Sequence, residues 1–259
     1  MTALEQLFNK PGKKLIGYVP AGFPTIEGAK KIISAMIDGG VDAIEVGFPY
    51  SDPIMDGPTI QAAADQALAN GTGAKEVFET LEFAAKLAPA VIMSYWNPIE
   101  KYGVDRFSQN MSKVAGSGTI TPDLTIEESK PWLTACTENS LNTIYVVAPS
   151  SNDQRLKQVV ENCSGFVYAA SLMGVTGARA QVSSAAESLV SRIRKFTELP
   201  VCVGLGVSTP DQARDVARYA DGVIVGSAFI NAVQKAADFE SGLLAVKKLA
   251  TELKAGVTG

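Results

Sequence analysis

Short apolar segments alternate with amphipathic segments along the whole chain, and no low-complexity tract divides them. Eight of the apolar segments are predicted to be strands. They are nearly all apolar instead of alternating with polar residues, which is typical of parallel strands buried on both faces. The predicted strands span residues 15–19, 43–46, 90–94, 119–121, 143–147, 166–170, 201–203 and 222–225.

The segments between these strands carry helix signals. Thr25 can cap a helix with one apolar face, and Gly39 is expected to end it. A later helix is predicted to begin after Thr209, with Gln212 placed to complete a capping box. The last helix is predicted over residues 241–254.

Eight strand–helix units admit two architectures, a closed (β/α)8 barrel and an open doubly wound sheet. The open sheet favours a G-x-G-x-x-G turn after its first strand, whereas residues 20–24 read P-A-G-F-P. We therefore predict an α/β fold, a (β/α)8 TIM barrel that residues 1–259 form as a single domain. Functional residues are then expected on the loops that follow the carboxyl ends of the strands.

Composition and charge exclude several function classes. The chain has 46% hydrophobic residues, a net charge of -4 and no histidine. The missing histidine excludes Ser-His and Cys-His nucleophiles and imidazole metal ligands. The charge balance leaves no basic surface for nucleic acid. No strand end carries the lysine of a Schiff-base aldolase, and the carboxylates there are not clustered as a metal site requires, so no metal is expected.

The cysteines and the lack of long apolar runs indicate a cellular compartment. Cys136, Cys163 and Cys202 are widely spaced and are expected to be reduced, buried side chains. Neither a signal peptide nor a membrane-spanning segment is visible, so we expect a cytoplasmic protein that does not bind membranes.

Two carboxylates stand out near the second strand. Glu45 lies between Ile44 and Val46 in a strand of core side chains, where desolvation raises the pKa of a carboxyl group. It is either a catalytic acid–base or a structural partner in an ion pair. Asp56 lies in a proline-rich loop and is either functional or a helix N-cap or turn residue.

Glycine-rich turns follow the last three strands. Gly177, Gly206, Gly226 and Ser227 lie at these turns, which fall at one corner of the predicted barrel. Exposed backbone N–H groups beside the start of a short helix suit a phosphate dianion, although glycine is also used for tight barrel turns. The residues thus favour a barrel enzyme that acts on a phosphorylated metabolite with carboxylates.

Sequence motifs throughout the chain carry a family resemblance. Residues 44–53 read I-E-V-G-F-P-Y-S-D-P and residues 56–61 read D-G-P-T-I-Q. Shorter motifs follow in order at residues 93–98, 122–124, 173–177, 204–208 and 226–228. With these motifs the chain resembles the tryptophan synthase alpha chain family.

The resemblance implies a reaction and its site. The expected reaction is retro-aldol cleavage of indole-3-glycerol phosphate to indole and glyceraldehyde 3-phosphate. Glu45 would transfer protons and Asp56 would accept the indole N–H. The resemblance places the remaining site residues as follows: Tyr18, Met93 and Ile120 at the indole pocket, where they can equally be barrel core, Tyr168 and Thr176 at the substrate, and Gly177, Gly206, Gly226 and Ser227 at the phosphate.

The resemblance also implies a partner. Indole would pass to a tryptophan synthase beta chain in an α2β2 heterotetramer, with pyridoxal phosphate in the beta chain and no cofactor in this chain. The sequence departs from the family pattern around Ser117, at Thr125 and at Ser171, which bears on loop details and partner contacts. Two alternatives stay open, a regulatory subunit that binds ligand without turnover and another phosphosugar-processing barrel enzyme.

Overall fold

The computed structural model describes residues 1–170, 179–204 and 206–259. Its strands form one closed parallel barrel in the order β1 to β8, which confirms the predicted fold class. Each predicted strand agrees with the observed strand within one residue at either end. The strands are β1 Lys14–Pro20, β2 Ala43–Gly47, β3 Ala90–Met93, β4 Gly118–Thr121, β5 Asn142–Val147, β6 Val167–Ala170, β7 Val201–Gly204 and β8 Gly222–Val225.

Helices surround the barrel and cover its outer face. Their bounds are α1 Ala3–Phe8, α2 Ile26–Asp38, α3 Pro58–Ala69, α4 Ala74–Ala85, α5 Trp96–Tyr102, α6 Val104–Lys113, α7 Lys130–Glu138, α8 Asp153–Val160, α9 Arg179–Ile193, α10 Pro210–Ala217, α11 Ser227–Gln234 and α12 Phe239–Thr258. Within the described residues, no helix combines the length and the apolar character that a membrane span requires.

The helix signals were confirmed in two cases and corrected in two others. The Thr25 hydroxyl caps α2, and the Thr209 hydroxyl accepts the N–H of Gln212 at 3.3 Å. The predicted capping box at α10 is wrong, because the Gln212 side chain accepts the N–H of Ser208, one residue before the cap, at 2.8 Å. The last helix is longer than predicted, since Asp238 caps it three residues earlier than residue 241.

The register of the barrel fixes the position of the buried carboxylate. Glu45 in β2 pairs with Tyr18 in β1 and with Val91 in β3. Parallel pairing places the carboxyl ends of all eight strands at one end of the barrel.

The opposite end of the barrel is closed by α1. Thr2 and Glu5 both hydrogen-bond the side chain of Asn142 at the start of β5, at 2.6 and 2.9 Å. Leu4 is buried beside them. The end formed by the carboxyl ends of the strands is therefore left for the functional residues.

Candidate active site

Glu45 is a carboxylate inside the barrel wall. It is only 1% exposed, in a strand whose five residues are all buried. Burial, together with the nearby charge of Asp56, raises the pKa of its carboxyl from 4.5 to about 8. Its Oε2 atom has no hydrogen-bond partner among the described residues. An ion-paired structural carboxylate would have a lowered pKa, so the environment favours an acid that can carry a proton at neutral pH.

Asp56 lies in the loop between β2 and α3 and is half-buried. It is not the N-cap of α3, since that position belongs to Gly57. The side-chain amide of Gln61 donates to the backbone carbonyl of Asp56 at 2.7 Å and ties the loop to the helix. Burial raises the pKa of the Asp56 carboxyl, and a hydrogen bond from Tyr95 opposes that shift.

Two buried tyrosines lie near both carboxylates. Tyr18 comes from β1 and Tyr168 from β6. The pKa of each phenol is raised, first by burial and then by the charges of Glu45 and Asp56. A Cβ atom on Gly47 or Gly204 would overlap the hydroxyl of Tyr18 or Tyr168, so both glycines make room for these phenols.

One cavity of about 560 Å³ joins these groups at the carboxyl ends of the strands. A volume of this size is typical of a pocket for a small metabolite. The predicted site residues that line it are Tyr18, Glu45, Asp56, Met93, Tyr168, Gly206, Gly226 and Ser227.

One predicted site residue stands apart from this cavity, and two others lie outside the described residues. Ile120 lies in β4, is 0% exposed and is not among the described residues that line the cavity. Thr176 and Gly177 lie outside the described residues, so their predicted roles stay predictions.

The cavity ends at a corner suited to an anion. Gly206 has φ of +64°, a conformation that glycine adopts readily. Gly226 precedes α11, and Ser227 is its first residue. The unpaired N–H groups at the start of a helix carry partial positive charge, so this corner favours a phosphate group.

Several wall residues were not predicted. The loop after β2 contributes Ile54 and Met55, α3 contributes Ile60, and the strand ends contribute Ala170 and Ile224. Their side chains are apolar. The proline-rich loop was recognised in the sequence, but apolar residues within it give no signal that distinguishes a pocket wall from a solvent-exposed turn.

The donor set does not suggest a resident metal. Across the ranges that the structure describes, no group of three or more cysteine, aspartate or glutamate side chains could hold a metal ion. The three cysteines are free.

Comparison with known proteins gives the family. The family model described as tryptophan synthase alpha chain matches residues 4–258. The chain belongs to the tryptophan synthase alpha chain family. Members of this family are lyase subunits that cleave indole-3-glycerol phosphate, and the predicted reaction and enzyme class are thereby confirmed.

Relatives and solved structures agree with the family assignment. The tryptophan synthase alpha chain of Streptomyces avermitilis is 52% identical, over 95% of this chain and 89% of that one. The same protein of Thermobifida fusca is 53% identical, over 94% and 92%. A chain in the structure of Mycobacterium tuberculosis tryptophan synthase has a TM-score of 0.92 at 43% identity, covering 100% of this chain and 99% of its own length.

Burial of Glu45 in this alpha chain family member predicts a pH-dependent stability. The folded state holds the Glu45 proton to about pH 8, whereas the ordinary pKa is 4.5. Its contribution to stability is therefore fully present below pH 4.5 and is lost as the pH rises through about 8. Glu45→Gln removes this dependence. Relative to wild type, the variant should gain free energy of unfolding across that window, up to several kcal/mol at ~1.36 kcal/mol per pKa unit.

Urea unfolding of both proteins at a series of pH values measures this difference. Glu5→Gln, the same substitution at the closed end of the barrel, is the matched control and should not reproduce the profile. A constant difference between wild type and Glu45→Gln across the window would contradict the burial of an ionisable Glu45.

Proposed function

We propose that Glu45 and Asp56 carry out the cleavage of indole-3-glycerol phosphate in this chain. The observation that carries the proposal is the buried Glu45 carboxyl, with an unpartnered oxygen and a raised pKa, on the wall of a cavity that Asp56 also lines. Two carboxylates in different surroundings can hold different roles, one transferring protons and one staying charged.

The reaction requires two proton transfers, one to C3 of the indole ring and one from the hydroxyl group on the glycerol carbon attached to C3. Protonated Glu45 donates to C3 of the indole ring, which leaves a positive charge delocalised to the ring nitrogen. The Glu45 carboxylate then takes the proton of the substrate hydroxyl. As the aldehyde forms, the bond between C3 and the hydroxyl-bearing glycerol carbon breaks, and its electron pair returns to the indole ring. Protons and electrons balance, and Glu45 ends as it began.

Asp56 stabilises the charged ring. Its carboxylate accepts the indole N–H, an interaction that strengthens as the ring gains positive charge. Stabilisation that grows towards the transition state raises turnover more than ground-state binding. Two buried phenols, Tyr18 and Tyr168, line the same cavity as the two carboxylates.

The phosphate of the substrate binds at Gly206, Gly226 and Ser227. This placement is supported by the positive φ of Gly206 and by the start of α11 at Ser227, which together offer backbone N–H groups. With the phosphate held there, the reacting carbon reaches towards Glu45 along the same cavity.

The partner is proposed to be a tryptophan synthase beta chain in an α2β2 heterotetramer in the cytoplasm. The pyridoxal phosphate that converts indole and serine to tryptophan belongs to that beta chain. Ile54 and Met55 support docking near the β2–α3 loop, because they are large apolar side chains exposed by 75% and 38% beside Asp56. Docking on this loop would favour the conformation in which Asp56 meets the substrate.

Substitution of the two carboxylates tests the proposed roles. Glu45→Gln preserves size but cannot transfer a proton, so turnover should fall about 10²- to 10⁴-fold. Asp56→Asn should lower kcat more than it raises KM. Indole release is measured for the chain alone and for the chain with its cognate beta chain, in the absence of serine. Glu5→Gln, which removes a carboxylate far from the cavity, is the control for both substitutions.

Each arm of this assay can contradict the proposal. Wild-type turnover by Glu45→Gln would remove the catalytic role of that residue. Absence of indole release by the wild-type chain, with or without partner, would instead indicate a ligand-binding regulatory subunit. The beta chain should increase indole release, and full activity without it would contradict the proposed coupling.

A charge at Ser227 tests the phosphate site. Ser227→Asp places a carboxylate at the start of α11, where the helix dipole favours it, so the fold should keep its stability. The same charge repels a phosphate dianion, and glycerol phosphate should bind about tenfold more weakly or worse. Ser227→Asn is the neutral control of equal size and should retain most binding.

Calorimetry with glycerol phosphate and with free indole separates this effect from general damage. Indole binding should be unchanged in Ser227→Asp. Equal affinity of the Asp and Asn variants for glycerol phosphate would place the phosphate elsewhere.

A further inference from the structure

Tyr95 contacts two successive residues of the loop that carries Asp56. It lies just after β3 as the N-cap of α5 and is 4% exposed. Its hydroxyl accepts the backbone N–H of Met55 at 3.1 Å. The Asp56 carboxyl also interacts with Tyr95, and this interaction lowers the pKa of that carboxyl. A phenol can accept one hydrogen bond and donate another, so both contacts fit a single hydroxyl group.

Residues that follow the neighbouring strands fix the position of Tyr95. The N–H of Trp96 donates to Asp123, which follows β4, at 2.8 Å. The ring of Tyr95 lies 5.4 Å from the ring of Tyr50, centroid to centroid. Asn97 in turn donates to the Tyr50 hydroxyl at 3.2 Å. The Tyr95 phenol therefore contacts the loop after β2, and the backbone of the next residue, Trp96, contacts the loop after β4.

Tyr95 does not contact the substrate cavity directly. It is not among the described residues that line the cavity, whereas Asp56 is. Its effect on the reaction must therefore pass through the loop after β2. Gln61 also fixes this loop at Asp56. Its side-chain amide donates to the backbone carbonyl of Asp56 and does not bond the Asp56 carboxyl group.

We propose that Tyr95 is the positioning residue for Asp56, holding both its carboxylate and the adjacent loop backbone in the geometry that cleavage requires. This inference rests on the role proposed above for Asp56. A hydrogen bond that a phenol donates to a carboxylate favours the charged form of the acid. Burial raises the pKa of the Asp56 carboxyl, and Tyr95 opposes this shift. Tyr95 thus keeps Asp56 in place and favours its ionised form.

The charge of Asp56 acts on groups from several elements. Besides Tyr95 they are Glu45 in β2, Tyr18 in β1 and Tyr168 in β6, and each interacts with the charge of Asp56. Of these, Tyr95 is the group whose hydrogen bond lowers the pKa of Asp56. Loss of its hydroxyl should therefore raise that pKa.

Tyr95→Phe tests the inference, because it keeps the ring and removes only the hydroxyl. A hydrogen bond to a charged group is worth enough that kcat should fall roughly 10- to 100-fold. The acid limb of the kcat–pH profile should move to higher pH. Tyr102→Phe is the matched control, since the hydroxyl that it removes bonds Asn110 in α6 instead of Asp56, and it should keep kcat and its pH profile.

A double-mutant cycle with Asp56→Asn separates positioning from packing. If Tyr95 acts through the carboxylate, its hydroxyl should matter little once Asp56 is Asn, and the two losses should not add. Indole release is measured with the cognate beta chain present. Additive losses with an unmoved acid limb, or wild-type kcat in Tyr95→Phe, would overturn the inference. Wild-type kcat in Asp56→Asn would instead overturn the proposed function of Asp56.

Discussion

The site depends on the cost of placing a carboxyl group inside a parallel barrel. Every other residue of β2 is small or apolar, and Glu45 is as buried as they are. Such a group is stabilised in its neutral form at a pH where exposed glutamates are charged. The resulting acid can give a proton to carbon and take one back from oxygen, so no metal or imidazole is required for the proposed chemistry.

The surroundings of Glu45 follow from this constraint. The two phenols beside it are large, and glycine at positions 47 and 204 leaves space for their hydroxyls against the barrel wall. The second carboxylate comes from a loop, where half-burial and a hydrogen bond from Tyr95 act in opposite directions on its pKa. Glu45 is fixed by its strand, whereas the loop that carries Asp56 is held by Gln61 and Tyr95.

The barrel and the position of Glu45 could be predicted from the sequence, because both depend on local patterns. Apolar runs of three to five residues recur between amphipathic segments, and a carboxylate within such a run is conspicuous. The capping geometry at Gln212 and the length of α12 could not be predicted as well, since several polar residues near a helix start compete for the same N–H groups. The role of Tyr95 depends on contacts between loops after different strands, and no local pattern encodes such contacts.

We infer that Glu45 is a neutral acid at physiological pH, and a carbon-13 NMR titration of labelled glutamate carboxyls tests this inference most directly. The resonance absent from Glu45→Gln identifies the residue. Its titration midpoint should lie at about 8 and should decrease in Asp56→Asn, where a neighbouring negative charge has been removed. A midpoint near the ordinary value of 4.5, unmoved by Asp56→Asn, would contradict the account.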